Sequence, residues 1–215
     1  MLIATRTALL QQCHDLATTR GLGLRHLKDF AADVVLAPAL LAELRRVDPS
    51  KPYGRQVVYA DEMLEVMVAT WTRDTPCAPH DHGGAYGAVR VLRGQAAHQI
   101  WRVNDSTMDT VLSETAFSGH VLACGPNLVH SMADGGADEV LMTLHLYTSA
   151  IDHMVVYDVE AGDTCVVEGS CGAWIPAADS QMLRSRRQGL YRRLELVSPP
   201  EPPETRCIAH GPSLP

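Results

Sequence analysis

The amino-acid sequence predicts a mainly β protein, a sandwich or a barrel, with helices packed on its outside. From residue 53 onward, apolar and polar residues alternate with a period of two over many short segments, as in half-buried strands. Before residue 48 the apolar spacing is helical instead. Because Gly, Asp and Asn turns separate the short strands, two facing sheets or a closed barrel best account for the pattern.

The composition limits the classes of partner and location. The 215 residues are 46% hydrophobic and carry a formal net charge of −7, which suits one domain and disfavours nucleic acid or anionic membranes as partners. No apolar run is long enough to cross a bilayer, and the first residues lack the pattern of a signal peptide. The six cysteines form no CxxC pair, so we expect neither a disulfide framework nor structural zinc. A reducing cytoplasm is the expected location.

The chain is predicted to have three parts. Residues 1–50 form a helical segment that packs on the β domain, with helices expected up to Gly21, at Leu24–Val35 and at Pro38–Arg46. Residues 51–197 form the β domain. Strands are expected at Gln56–Ala60, Leu64–Trp71, Val89–Leu92, Ala97–Val103, Ala116–Leu122, Val140–Tyr147, Met154–Val159 and Thr164–Val167.

The end of the chain is predicted to close the domain and then to lose order. Met182–Leu196 has the amphipathic spacing of a closing helix. Residues 198–215 are rich in Pro, and we expect them to be a disordered tail.

Two histidines at positions i and i+2 are the first candidates for a chemical site. In an extended segment His80 and His82 project to one side and Asp81 to the other. Two converging imidazoles provide half of a metal site, although an HxH pair alone also fits a polar loop. His130 supplies a third imidazole. Three neutral imidazoles suit iron(II), zinc or copper better than magnesium or calcium, and leave coordination positions open.

A second candidate lies on the strand Val140–Tyr147. One face carries the apolar residues Val140, Met142, Leu144 and Leu146. The other face carries Thr143, His145 and Tyr147, whose burial costs free energy unless they bond one another or a ligand. A solvent-facing row is the alternative, but the strongly apolar opposite face favours an interior position.

These motifs resemble those of the thiol dioxygenases of the cupin superfamily, typified by cysteine dioxygenase, over about Tyr53–Tyr147. His80-Asp81-His82 followed by Leu92-Arg93-Gly94 resembles the first cupin motif, and Pro126–His130 resembles the second. Most cupins place a metal-binding Glu where this chain has Gly87. Thiol dioxygenases lack that carboxylate and use three histidines.

Other segments extend the resemblance. Thr143–Tyr147 is similar to the family's Ser-x-His-x-Tyr triad, with Thr in place of Ser. Tyr53-Gly54-Arg55 is similar to the Tyr-x-Arg whose guanidinium binds the substrate carboxylate, and Trp71 falls at a family tryptophan. In some members a cysteine at the position of Gly87 is crosslinked to the triad tyrosine, and this chain cannot form that crosslink.

The resemblance implies a cupin barrel, a double-stranded β-helix or jelly roll, around a mononuclear Fe(II) centre. It implies oxidation of L-cysteine to cysteine sulfinic acid by both atoms of dioxygen. The implied assignments are the metal ligands His80, His82 and His130, the substrate-binding residues Arg55 and Tyr53, and the catalytic residues Tyr147, His145 and Thr143.

Three alternatives remain open. The same chemistry could act on another small mercapto acid, such as 3-mercaptopropionate or mercaptosuccinate. A zinc centre with an activated water would make the protein a hydrolase or lyase. A cupin that only binds metal or a small ligand would be a sensor. The expected partners are a small thiol and dioxygen, without nucleic acid or membrane, and we expect a monomer or small homo-oligomer.

Several side chains near these motifs receive no role from the sequence. They are His98, His120 and His153. Cys77 and Cys124 are predicted to be buried hydrophobic residues. Arg90 and Arg93 are predicted to be solvated, with Arg90 as a second candidate for pairing with a substrate carboxylate.

Overall fold

The computed structural model describes residues 3–104, 107–136 and 138–197, which form four helices and thirteen strands. The helices are α1 (Arg6–Ala17), α2 (Leu24–Asp33), α3 (Pro38–Leu44) and α4 (Arg193–Val197). The strands are β1 (Ile3–Ala4), β2 (Val35–Leu36), β3 (Tyr53–Ala60), β4 (Leu64–Trp71), β5 (Gly87–Arg93), β6 (Gln95–Asn104), β7 (Thr107–Phe117), β8 (Val121–Cys124), β9 (Val129–Asp134), β10 (Met142–Thr148), β11 (His153–Asp158), β12 (Asp163–Glu168) and β13 (Leu183–Gln188).

Two antiparallel layers face each other across a shared core. One is a five-stranded sheet in the order β3-β4-β10-β5-β8, and the other contains β7-β6-β9 and β11-β12-β13. The extended segment at His80 joins the two halves of the second layer, because it pairs with His130 of β9 and with Val156 of β11. This arrangement fits a cupin-type jelly roll, so the predicted mainly β fold class is confirmed.

The helices cover the outer face of the five-stranded sheet. Leu9 of α1 and Leu27 of α2 pack in one cluster with Val66 and Val68 of β4 and Leu144 of β10. All five side chains are fully buried, and removing such a side chain from water stabilises the fold by roughly 1.5–3 kcal/mol. The prediction that the N-terminal helices pack outside the β layers is therefore confirmed.

The inner faces of the two layers enclose a second core, which holds the candidate site. Ala69 and Val89 from the five-stranded sheet meet Ala96, Met132 and Val156 from the opposite layer. Alternation along each strand places one row of side chains against the helices and the next row in this interior.

Two predicted elements are wrong. The predicted helix Met182–Leu196 is instead the strand β13 followed by the short helix α4. Backbone pairing with β12 overrides the helical spacing, and Arg184 and Arg186 add ion pairs with Glu168 and Asp163 of that strand.

A single strand over Ala116–Leu122 is wrong as well. Gly119 has a φ of 92° in a turn that separates β7 from β8, a conformation that glycine adopts without strain. The predicted disordered tail, 198–215, lies outside the described residues. Among the described helices, none is long and apolar enough to cross a membrane.

Candidate metal centre

Three histidines from two separate segments meet between the layers. His80, His82 and His130 are all buried, and one nitrogen from each lies within 4.8 Å of the other two. The Nε2 atoms of His82 and His130 are 3.1 Å apart. Nitrogens that bind one zinc ion at about 2.1 Å can have this separation. The structure thus brings together the three residues that the sequence selects as ligands, in a group that could hold a metal ion.

Backbone pairing sets the relative position of two of these ligands. The His80 N–H donates to the carbonyl of His130 at 2.9 Å, and the His130 N–H donates back at 3.0 Å. His80 Nδ1 lies 2.9 Å from the carbonyl oxygen of Ala78, so this nitrogen carries the ring hydrogen. The Nε2 lone pair of His80 is then free for a metal ion.

Asp81, between the two ligands of the HxH motif, points away from them and anchors the segment. Its buried carboxylate accepts hydrogen bonds from the backbone N–H groups of Gly83 and Val155, both at 3.0 Å. It also accepts one from Arg193 of α4 at 2.9 Å. The C-terminal helix therefore holds the loop that presents His80 and His82.

Burial keeps the three imidazoles in the form that binds metals. It lowers the pKa of His80 and holds the pKa values of His82 and His130 well below the usual value, with mutual repulsion as a further cause. All three rings are therefore neutral at pH 7. Within the described residues, His82 Nδ1 is buried without a hydrogen-bond partner. Three neutral nitrogen donors fit a transition metal and do not fit magnesium or calcium.

A hydrogen-bonded row of side chains lies on β10 beside the histidines. Trp71 donates its indole N–H to Thr143 Oγ1 at 2.8 Å, and Thr143 Oγ1 is 2.7 Å from His145 Nε2. His145 Nδ1 is 2.9 Å from the Tyr147 hydroxyl. The face that carries the triad is therefore interior, as the sequence predicts, and the solvent-facing alternative is wrong.

Satisfying every member of this row fixes the direction of its hydrogen bonds. The Thr143 oxygen already accepts from Trp71, so its own hydrogen is used when it donates to His145 Nε2. Burial lowers the pKa of His145 to about 3, so the neutral ring carries its hydrogen on Nδ1 and donates it to Tyr147. The Tyr147 hydroxyl hydrogen then remains available to a ligand.

Tyr147 stands directly beside the metal ligands. Its ring centroid is 4.9 Å from that of His82, and burial raises its pKa well above the usual value. Gly87 of β5 is its cross-strand partner, and a Cβ at that position would lie 3.1 Å from the tyrosine ring. The absence of a side chain at Gly87 leaves room for the tyrosine ring. The raised pKa keeps the phenol protonated at neutral pH.

Arg55 reaches the same cavity from β3. Its Nη1 donates to the carbonyl of Gly169 at 2.9 Å, its Nε lies 3.0 Å from Met67 Sδ, and its Nη2 pairs with Glu65. Tyr53 lines the cavity too, but its hydroxyl accepts a hydrogen bond from the Ala173 N–H at 3.0 Å. The cavity is small, about 20 Å³, and it brings both predicted substrate-binding residues next to His80, His82 and Tyr147.

His98 is a site residue that the sequence analysis missed. It is buried, and its Nε2 lies 3.0 Å from His130 Nδ1. One signal was present in the sequence. Ala96 and His98 are two residues apart on β6 and therefore share a face, and the small apolar Ala96 is buried on the inward side. A histidine on that row points toward the core.

The remaining side chains without a role take other positions. His120 is exposed, and His153 pairs with Arg193 and Asp152. The prediction that Arg90 is solvated is wrong, because its guanidinium donates to three carbonyls at the end of α2, including that of Val34 at 2.6 Å. Arg93 is exposed, as predicted.

The two cysteines near the ligands are buried. Burial raises the pKa values of Cys77 and Cys124 to about 12, so both are inert thiols at neutral pH, as the sequence predicts. Their sulfur atoms lie 4.0 Å from His80 Nδ1 and His130 Nδ1, respectively. They therefore help to enclose the imidazoles.

No protein-family model matches the chain. A conserved protein with a double-stranded β-helix domain from Klebsiella pneumoniae is 16% identical over 55% of this chain and 88% of its own, with a TM-score of 0.47. An RmlC-like cupin protein from Desulfovibrio desulfuricans is 18% identical over 48% of this chain and 87% of its own, with a TM-score of 0.37. An oxalate oxidase is 16% identical over 53% of this chain and 60% of its own, with a TM-score of 0.40. Because these TM-scores are below 0.5, the chain's own strand pairing defines the fold.

Proposed function

We propose that the protein is an iron(II)-dependent dioxygenase that oxidises the thiol of a small mercapto acid, with L-cysteine as the preferred substrate. The observation that carries this proposal is a group of three buried imidazoles, joined by no carboxylate of the described residues, with the Tyr147 ring beside it. Gly87 stands where a fourth, acidic ligand would be expected in most cupins. Its neighbour across the strands is Tyr147.

The overall reaction adds dioxygen to the thiol: R–SH + O2 gives R–SO2H. Sulfur loses four electrons, dioxygen gains them, and no other reductant is needed. Iron(II) bound by His80, His82 and His130 would supply coordination of the substrate sulfur and activation of dioxygen. The other side chains bind and orient the substrate.

Arg55 is the candidate partner of the substrate carboxylate. Arg55 lines the cavity together with the candidate ligands His80 and His82, and its planar fork of N–H groups suits a carboxylate. Gly169 and Glu65 already hold the guanidinium in place, so little side-chain entropy is lost on binding.

Tyr147 is the candidate hydrogen-bond donor to the reacting atoms. Its protonated hydroxyl accepts from His145 and keeps its own hydrogen for the ligand. Met67, Ile151 and Met154 line the same cavity with apolar surface, which excludes water and strengthens polar contacts inside.

The test is dioxygen uptake by protein loaded with iron(II) under anaerobic conditions, against L-cysteine, 3-mercaptopropionate and mercaptosuccinate. With isotopically labelled dioxygen we expect both oxygen atoms of the sulfinate to carry the label. We expect L-cysteine to have the highest kcat/KM. Faster consumption of another mercapto acid would leave the thiol dioxygenase proposal intact and overturn the choice of cysteine. If no thiol is oxidised, the dioxygenase proposal fails, and metal analysis then tests the alternative of a zinc centre.

A variant tests the role of Arg55 directly. Arg55→Gln removes a charge-assisted pair, so we expect kcat/KM for L-cysteine to fall roughly 10- to 100-fold. The loss for 3-mercaptopropionate should be smaller. Arg93→Gln is the matched control, because Arg93 is exposed at the end of β5 and should leave both values unchanged.

A further inference from the structure

Behind the metal centre, a line of three side chains connects the third ligand to the protein surface. His130 Nδ1 is 3.0 Å from His98 Nε2, and His98 Nδ1 is 2.9 Å from a carboxylate oxygen of Glu114. The side chain of His98 is 3% exposed, whereas that of Glu114 is 42% exposed. The line therefore runs from the buried ligand through a buried ring to a carboxylate in contact with water.

Strand pairing builds this line. His98 of β6 and Glu114 of β7 are directly opposite each other, and Ile100 of β6 is opposite His130 of β9. Side chains two residues apart on one strand share a face, so His98 lies diagonally next to the ligand. The contact follows from the register of three adjacent strands.

The carboxylate at the end of the line determines which atom donates in each of its hydrogen bonds. An ionised carboxylate only accepts hydrogen bonds, so the hydrogen of a neutral His98 ring sits on Nδ1. Its Nε2 then has a lone pair and accepts from His130 Nδ1–H. That leaves the lone pair of His130 on Nε2, the atom that lies 3.1 Å from His82 Nε2.

The other two ligands lack such support among the described residues. His80 Nδ1 is held by a backbone carbonyl, and His82 Nδ1 has no hydrogen-bond partner. A ligand whose second nitrogen donates toward a carboxylate is a stronger donor, because the hydrogen bond increases the basicity of its ring. His130 is thus the ligand whose tautomer and donor strength are set by neighbouring side chains.

We propose that His98 and Glu114 are positioning residues that fix the tautomer of His130 and strengthen its bond to the metal ion. This inference rests on the metal-binding part of the proposed function and is independent of which thiol is used. Neither residue touches the substrate cavity. Their contribution is therefore to metal affinity and to the properties of the bound metal.

The first experiment measures affinity for zinc and cobalt(II) by competition with a chelator. His98→Leu removes the acceptor for His130 Nδ1–H, and we expect affinity to fall about 10- to 100-fold. His98→Gln places an amide oxygen near the same point and should recover most of the loss. His120→Leu is the matched control, because His120 is exposed and contacts only Phe117 among the aromatic rings of the described residues. Melting of the metal-free proteins separates misfolding from weaker binding.

Two results would overturn the inference. One is a His98→Leu protein that binds metal as tightly as the unmodified protein. The other is a His98→Gln protein that binds as weakly as His98→Leu, since rescue distinguishes a hydrogen bond from simple packing. Glu114→Leu should lower affinity less than His98→Leu, because it removes only the far end of the line.

The second experiment reads the tautomer itself. In the zinc-loaded, nitrogen-15-labelled protein, long-range proton–nitrogen spectra should show His98 and His130 each protonated at Nδ1. In metal-free protein the His130 signal should keep this tautomer in the unmodified chain and lose it in His98→Leu. If His98 is instead protonated at Nε2, the proposed direction is wrong. If the unmodified protein binds metal but oxidises no thiol, the proposed function fails while these measurements still decide the inference.

Discussion

The guanidinium of Arg55 runs along β4, over Met67, and ends at the buried carboxylate of Glu65. The Glu65 side chain is 5% exposed and that of Arg55 is 20% exposed. All three guanidinium nitrogens therefore have protein contacts, to Met67, Gly169 and Glu65. Because a guanidinium has five N–H donors, two of them remain for a substrate carboxylate.

Removing one partner of this pair should destabilise the protein. Glu65→Leu leaves the Arg55 charge largely buried without its counter-charge, and we expect the free energy of unfolding to fall by about 3 kcal/mol. Urea denaturation measures the change. Glu62→Leu is the control, because Glu62 is exposed in the turn before β4 and should change stability little.

The double variant Arg55→Met, Glu65→Leu should regain most of the lost stability, because two apolar side chains replace a buried ion pair at little cost. It should not oxidise cysteine. A double variant that is no more stable than Glu65→Leu would show that the loss comes from packing rather than from the unpaired charge.

The three imidazoles should be individually necessary for the metal. Single replacement of His80, His82 or His130 by Ala is expected to abolish iron retention and turnover while leaving the β layers folded. Metal analysis and circular dichroism check the two parts of this prediction. His120→Ala should retain iron fully. Stoichiometric iron in His130→Ala would remove His130 from the ligand set.

The row on β10 should act on turnover without changing metal content. Thr143→Val is similar in shape but lacks the hydroxyl that joins Trp71 to His145. We expect kcat to fall roughly 10- to 100-fold, because His145 Nε2 loses its donor and the ring no longer holds Tyr147 in one hydrogen-bonding direction. Thr143→Ser keeps the hydroxyl and should retain most of the rate. Equal rates for the two variants would exclude the hydroxyl as the cause.

Tyr147 should remain unmodified after turnover. Gly87, the cross-strand partner of Tyr147, offers no sulfur. Cys124 pairs with Gly87 on the next strand, so it is the cysteine that the measurement must exclude. The intact mass after turnover should equal the sequence mass, with one band on a denaturing gel. A species that lacks two hydrogen atoms at Tyr147 would mean that another cysteine reaches the ring.

Period-two patterns in the sequence predict most of the structure that forms the site. The alternation on Val140–Tyr147 gives the interior row, and the i, i+2 spacing gives the shared direction of His80 and His82. The contacts of His98 and Glu65 were not predictable in this way. They depend on the register between strands that are distant in sequence, which one strand's pattern does not specify.

The same limit explains the errors at the end of the chain. Arg184 and Arg186 fit a solvated helix face as well as an exposed strand row. Backbone pairing with β12 decides between the two, and that strand is a separate segment of the sequence. The residue type of Arg90 likewise predicts a solvated side chain, whereas its guanidinium donates to the backbone carbonyls at the end of α2.

The buried histidines should make the metal-free protein sensitive to acid. Burial lowers the pKa of His145 to about 3, against about 6.5 in an unfolded chain. Between these values the unfolded state binds more protons, so stability is fully present above about pH 6.5 and is lost as the pH falls toward about 3. In this interval the protonation of this one group lowers the free energy of unfolding by about 1.4 kcal/mol for each pH unit. Unfolding in urea from about pH 7.5 to about pH 4.5 measures it.

His145→Gln removes the titrating ring, so its free energy of unfolding should fall less steeply over the same interval. The slope, rather than the absolute stability, is compared, because the substitution also changes packing. His120→Gln, at an exposed position, should keep the slope of the unmodified protein. If His145→Gln and the unmodified protein have the same slope, His145 is not held neutral by burial. The hydrogen bond that Thr143 is inferred to donate to His145 Nε2 would then be wrong, because both nitrogens of a charged ring are donors.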